Sequence, residues 1–173
     1  MCDDFVQGLQ IAKGDRLVDV IRIWGFRISQ EQDPTVAMSH LAGVLPEFLR
    51  ILDDPQTDVG LRGVVAEALA EISMALETVI EKLRAAEDSR LSQALALRAT
   101  VIGGFRLCFE RKTAVSGLTA IAASLGRLEL TPDVQELAQR IWQTPSPGVR
   151  GKLASRLRPR QDKPNKEGPS TCV

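Results

Sequence analysis

Apolar residues return every three or four positions along most of this chain, the spacing of one face of an α-helix. Asp15 is placed to cap a first helix in which Leu17, Val18, Ile21 and Trp24 share a face, with Gly25 loosening it; a strand over residues 20–28 is the alternative, since Ile, Val, Trp and Phe favour strands. Asp33-Pro34 is a capping side chain followed by proline at the first helical position, and Val36, Leu41 and Val44 follow at helical spacing. Pro46 removes an amide and clashes one turn back, so the pattern predicts a break near Leu45 and a separate short piece over residues 47–52.

After the turn at residues 54–58 comes the longest regular pattern. Leu61, Val65, Ala68, Ile72, Leu76, Val79, Leu83 and Ala86 recur at spacings of three and four, with Glu67, Glu71, Thr78 and Glu81 opposite. This predicts a long central amphipathic helix of about eight turns, ~45 Å at 1.5 Å per residue. The face made by Leu61, Val65, Ile72, Leu76, Val79 and Leu83 has two readings: the core side of a bundle helix, or a seam that receives a partner protein or a second copy. Asp88-Ser89 divides this helix from one placing Leu91, Ala94, Leu95 and Val101 inward. Gly103-Gly104 then marks either a turn or a close helix approach, with a hairpin over residues 100–109 as the other possibility. Leu118, Ile121, Ala122 and Leu125 give one more face, stopped at Gly126. Thr131-Pro132 opens the last helix, with Val134, Leu137, Ala138, Ile141 and Trp142 packed. The reading is all-α: an irregular bundle of six or seven helices over residues 3–142, without internal repeats.

Composition changes the picture at the C-terminus. The whole chain carries 22 basic and 22 acidic residues. Residues 143–173 hold Arg150, Lys152, Arg156, Arg158, Arg160, Lys163 and Lys166 against Asp162 and Glu167, and also five of the nine prolines. They are read as a flexible, Pro-rich basic tail of charge +5 on a body of charge −5. Within it, Arg150, Lys152, Arg156, Arg158 and Arg160 are candidates for binding RNA or another anionic surface. Thr144-Pro145 and Ser146-Pro147 match proline-directed phosphorylation. The ending Thr171-Cys172-Val173 suits a PDZ-type groove, with Val173 in the pocket and the Thr171 hydroxyl read by hydrogen bonding.

Candidate chemistry is sparse. His40 is the single histidine, and no Gly-rich phosphate loop, dinucleotide fingerprint or Glu-x-x-His pair occurs. Cys2, Cys108 and Cys172 are too far apart for a zinc pattern, and Cys108 sits in an apolar stretch that favours an inert thiol. No catalytic residue, cofactor or metal is expected, no apolar run reaches the ~18–20 residues of a membrane span, and a cytoplasmic or nuclear setting follows from the cysteine usage. The reading is a non-enzymatic protein-interaction protein, regulatory or adaptor in kind, with a helical apolar surface and the basic tail as second contact. The alternative is an RNA-associated structural or accessory protein, of viral type, using the tail on phosphates.

Overall fold

The computed structural model describes Gly8 and residues 14–158, and these contain seven α-helices, two 3-10 turns and no strand. The helices are α1 (Asp15–Gln30), α2 (Pro34–Asp53), α3 (Val59–Ala85), α4 (Leu91–Glu110), α5 (Val115–Ser124), α6 (Pro132–Gln143) and α7 (Pro147–Lys152). They form two rows. α1, α3, α5 and α7 are successive neighbours in one, and α2, α4 and α6 in the other, with α3 packed on both α2 and α4. The long helix is central: its 27 residues span about 40 Å at 1.5 Å per residue.

The expected starts are present because their capping groups are. The Asp33 carboxylate accepts from the Thr35 amide at 2.7 Å and Pro34 opens α2. The Asp58 carboxylate accepts from the Leu61 amide at 2.9 Å, and the Thr131 hydroxyl accepts from the Val134 amide at 3.4 Å. Each satisfies an amide that has no partner inside its helix. Asp15 is not the cap of α1; Gly14 is, at φ 60°, a left-handed conformation that glycine adopts without a side-chain penalty.

Two alternatives close in favour of helix, and three expectations are corrected. The first segment is a helix throughout, not a strand, and Gly25 does not loosen it. A Cβ there would sit 2.9 Å from the Ala68 Cβ, so Gly25 is where α1 presses onto α3. α2 runs unbroken through Pro46. Val44 and Leu45 before the proline and Phe48 and Leu52 after it are buried in the same core, and that shared burial outweighs the ~3 kcal/mol cost of the proline. By length and mean hydropathy α2 also meets the criteria for a membrane span, and here its apolar side lies in this core. Residues 100–109 are helical, not a hairpin, because Gly104 admits the side chains of Leu49 and Leu69, within about 3.1 Å of where a Cβ would stand.

The third correction moves the end of the folded body. Pro147 starts α7, and Val149, Leu153 and Leu157 are buried. Residues 147–157 thus form a strap whose Val149, Leu153 and Leu157 join the rest of the core. Gly126 stands where Ala154 approaches, 2.8 Å from the position of an added Cβ. Its role is therefore contact with the strap rather than a left-handed helix stop. The packed chain continues to residue 157, so a boundary at 142 cuts through the core.

Glycines also govern the α3–α5 crossing. A Cβ on Gly117 would meet the Gly63 carbonyl oxygen at 2.7 Å and the Gly63 Cα at 2.9 Å, and these backbone atoms cannot rotate away. Gly103, on the open side of α4, has nothing within 4 Å of an added Cβ. Gly117→Ala is expected to cost about 1–3 kcal/mol through overpacking, while Gly103→Ala is expected to stabilise by about 0.5–1 kcal/mol through the lower entropy cost of alanine in a helix. Urea unfolding of the two variants measures both signs.

Candidate functional site

The residues singled out from sequence divide into three groups. Val65, Ile72, Leu76, Val79 and Leu83 are buried in the chain's own core and Leu61 is half-buried at its edge. The apolar face of α3 is thus covered by the chain itself, and it is not an open seam. Three candidate anion-binding arginines are bound to the chain's own carbonyls. Arg150 donates to Thr144 O at 3.2 Å, and Arg156 to Gly126 O at 2.8 Å and Leu128 O at 2.6 Å. Arg158 donates to Leu153 O at 3.0 Å and lies over the Trp142 ring. Lys152 is exposed. Arg160, Thr171, Val173, Cys2 and Cys172 lie outside the described residues.

The strap changes the charge balance. With its four basic residues counted in, residues 1–158 carry 19 basic and 20 acidic side chains, so the −5 body and +5 tail of the sequence reading do not survive as separate units.

Exposed large apolar side chains occur on several elements, Val59, Val115 and Leu130 among them, and on α1 two of them are adjacent. Phe26 and Ile23, one helical turn apart, are 61% and 55% exposed. They point away from the face that buries Ile21, Gly25 and Ile28. Phe26 stands between two hollows. One, of about 380 Å³, is bordered by Trp24, Arg27, Glu31, Val36 and His40. The other, of about 250 Å³, is bordered by Arg22, Val64, Glu67 and Glu71. Glu67 and Glu71 also edge a third hollow, of about 430 Å³, that reaches Met74, Ala123 and Arg127. The shared residues make one continuous track from α1 over α3 to α5. His40 packs edge-on against Trp24 with ring centres 5.7 Å apart, and the Arg27 guanidinium lies 5.4 Å from the centre of the Trp24 ring. Both support the aromatic end of the track.

The charges of the track and of the second row behave differently. The second row is laced by its own ion pairs: Glu47–Arg50, Asp53–Arg111, Arg106 with Asp133 and Glu136, and Arg140 with Glu110 and Glu136. Among the described residues, Arg22, Glu67, Glu71 and Arg127 on the track form no ion pair with one another or with a neighbour. An exposed aromatic beside uncommitted charges is the pattern of an apolar centre and polar rim at protein interfaces.

Two buried arginines were not legible as special in the sequence. Arg62 sits on the inner side of α3, where it donates to Leu52 O at 3.2 Å, Asp54 O at 2.7 Å and Lys112 O at 3.1 Å. It ties the end of α2 to the loop after α4. Arg98 of α4 meets Glu77 of α3 at 2.7 Å, and both side chains are only about 10% exposed. The contact brings the charges together without an aligned N–H···O bond at Nε. Arg98 also donates to Glu129 O at 2.8 Å. Burial pushes the Glu77 carboxyl up from its ordinary value, while Arg98 pulls it down. Both arginines occupy positions beside the apolar stripe, and a helical period alone does not separate a buried arginine from an exposed one.

No arrangement of acid, base and nucleophile emerges on the track, and no group of three metal-ligating side chains occurs among the described residues. Cys108 is fully buried, and burial pushes its thiol up to about 12. It is expected to stay unlabelled by a thiol reagent at pH 8 in the native protein and to react once the chain is unfolded, as counted by mass spectrometry. No family model matches this chain, and neither a curated protein nor a solved structure matches it.

Proposed function

We propose that this chain is a non-enzymatic protein-interaction module whose docking face is the track over α1, α3 and α5, with Phe26 as its anchor. The observation that supports the reading is the pairing of exposed Phe26 and Ile23 with charges that form no ion pair among the described residues. A large aromatic held on a rigid helix loses little conformational freedom on binding, which is why such residues dominate interface energetics. The reading departs from the sequence expectation in its residues: the apolar stripe of α3 builds the core, and the side chains on the outside of α1 do the binding. Use of Arg150, Arg156 and Arg158 as an RNA contact is weakened by their commitment to backbone carbonyls.

The test compares proteins that co-purify with the full chain, with Phe26→Asp and with Leu95→Asp. Leu95 is an exposed apolar residue of the second row and serves as the control. Binding partners are expected to be lost with Phe26→Asp and kept with Leu95→Asp, while circular dichroism of both variants matches the parent. Equal retention by both variants would remove the track from consideration.

A further inference from the structure

We infer that the occupant of this track is a second copy of the chain, joined through a symmetric contact centred on Phe26; the inference rests on the docking reading above. Three observations carry it. First, the described residues are neutral, with 18 acidic and 18 basic side chains over residues 14–158, so two copies approach without net repulsion. Second, the track itself is balanced. Around the second and third hollows Arg22 and Arg127 stand with Glu67 and Glu71, two of each sign, and among the described residues none of them forms an ion pair. A partner of one sign would always bring like charges together at two of these four positions. A symmetric contact presents the same patch to itself, so the two carboxylates of one copy can face the two guanidinium groups of the other. Third, the apolar centre is small and coherent. Ile23 and Phe26 are three residues apart on α1, and the small residues Gly25 and Ala68 beneath them fix α1 tightly on α3. The centre is therefore held in place before contact, and the ordering cost of association is correspondingly low.

The experiment is sedimentation equilibrium of the full chain from about 1 to about 100 μM, a range that registers dissociation constants of ordinary protein pairs. The parent and Leu95→Asp are expected to populate a dimer. Phe26→Asp is expected to weaken association by about 30-fold or more, the loss typical of an interface hot spot. Glu67→Lys with Glu71→Lys leaves four positive groups around the second and third hollows and is expected to give a monomer. Adding Arg22→Glu and Arg127→Glu restores two of each sign and is expected to return the dimer. That rescue is a readout that mere loss of folding cannot produce.

A parent that stays monomeric at about 100 μM overturns the inference, as does a dimer that survives Phe26→Asp. Hydroxyl-radical labelling of Phe26 separates the remaining cases. A monomer in which Phe26 is shielded means that the chain's own segment covers it, and the inference fails. A monomer with reactive Phe26 that loses its co-purifying protein on Phe26→Asp overturns self-association and leaves the docking reading standing. The same monomer keeping that protein fails both.

Discussion

Arg98→Met is expected to lower stability at pH 7 by about 3–5 kcal/mol, because it leaves the Glu77 carboxylate buried without its counter-charge. Methionine keeps the length and apolar stem of arginine, so lost volume contributes little. The sign of the pH dependence follows from Glu77. Its folded carboxyl holds a proton more readily than the unfolded one. Its contribution to stability is therefore most favourable on the acid side and declines as pH rises through the raised value. Without Arg98 that value moves further up. The penalty of the variant should thus be smaller at pH 5 than at pH 7, since the acid side favours the neutral carboxyl. Glu77→Gln with Arg98→Met removes both charges and should recover much of the loss, since removing a buried pair together is far milder than removing one partner. Urea unfolding of the parent, single and double variants at the two pH values measures the coupling. A single variant as stable as the parent would show that the pair contributes nothing net.

Leu153→Ala is the second large effect, at about 2–5 kcal/mol. Leu153 is 1% exposed although it lies in the Pro-rich, basic part of the chain. Its loss leaves a cavity between the strap and the core that Val149 and Leu157 cannot close, since each occupies its own place in the same packed surface. Lys152→Ala, one residue away on the exposed side, should change stability by less than about 0.5 kcal/mol. The contrast between neighbours is the diagnostic: a flexible tail would show two equally silent substitutions. For a chain of this size each kcal/mol corresponds to about 2–4 °C in the melting temperature, so the two variants are separable by calorimetry.

The same comparison shows where local information ends. Asp33-Pro34, Asp58 and Thr131-Pro132 specify helix starts through groups within three residues of one another, and these starts were legible as such. The stripe from Leu61 to Leu83 also read correctly as one long amphipathic helix. What covers the stripe was not legible, because burial of one face by another part of the chain leaves no mark in the period of either. Pro46 shows the limit from the other side. Its local rule predicts a break, and only the burial of Leu45 and Phe48 on the same side explains why the helix continues.

The candidate site was the least legible part. Phe26 belongs to an apolar cluster, Ile21, Ile23, Trp24, Phe26 and Ile28, that invites assignment of every member to the core. A helix of period 3.6 cannot bury all of them on one side, so Ile23 and Phe26 fall outside the packed face. That geometric signal was present in the sequence, but which members turn outward depended on where α1 meets α3, at Gly25 and Ala68.

The sequence by itself determined the helical class, the principal helix starts, the length of the central helix and the buried, inert setting of Cys108, all consequences of residues close together along the chain. Tertiary structure alone decided that Val149, Leu153 and Leu157 belong to the core, that Arg62 and Arg98 are buried with partners 8 to 50 residues away, and that Phe26 faces outward. These outcomes depend on surfaces brought together by the packing of whole helices, whose energies are summed over contacts distant in sequence and have no counterpart in any local pattern.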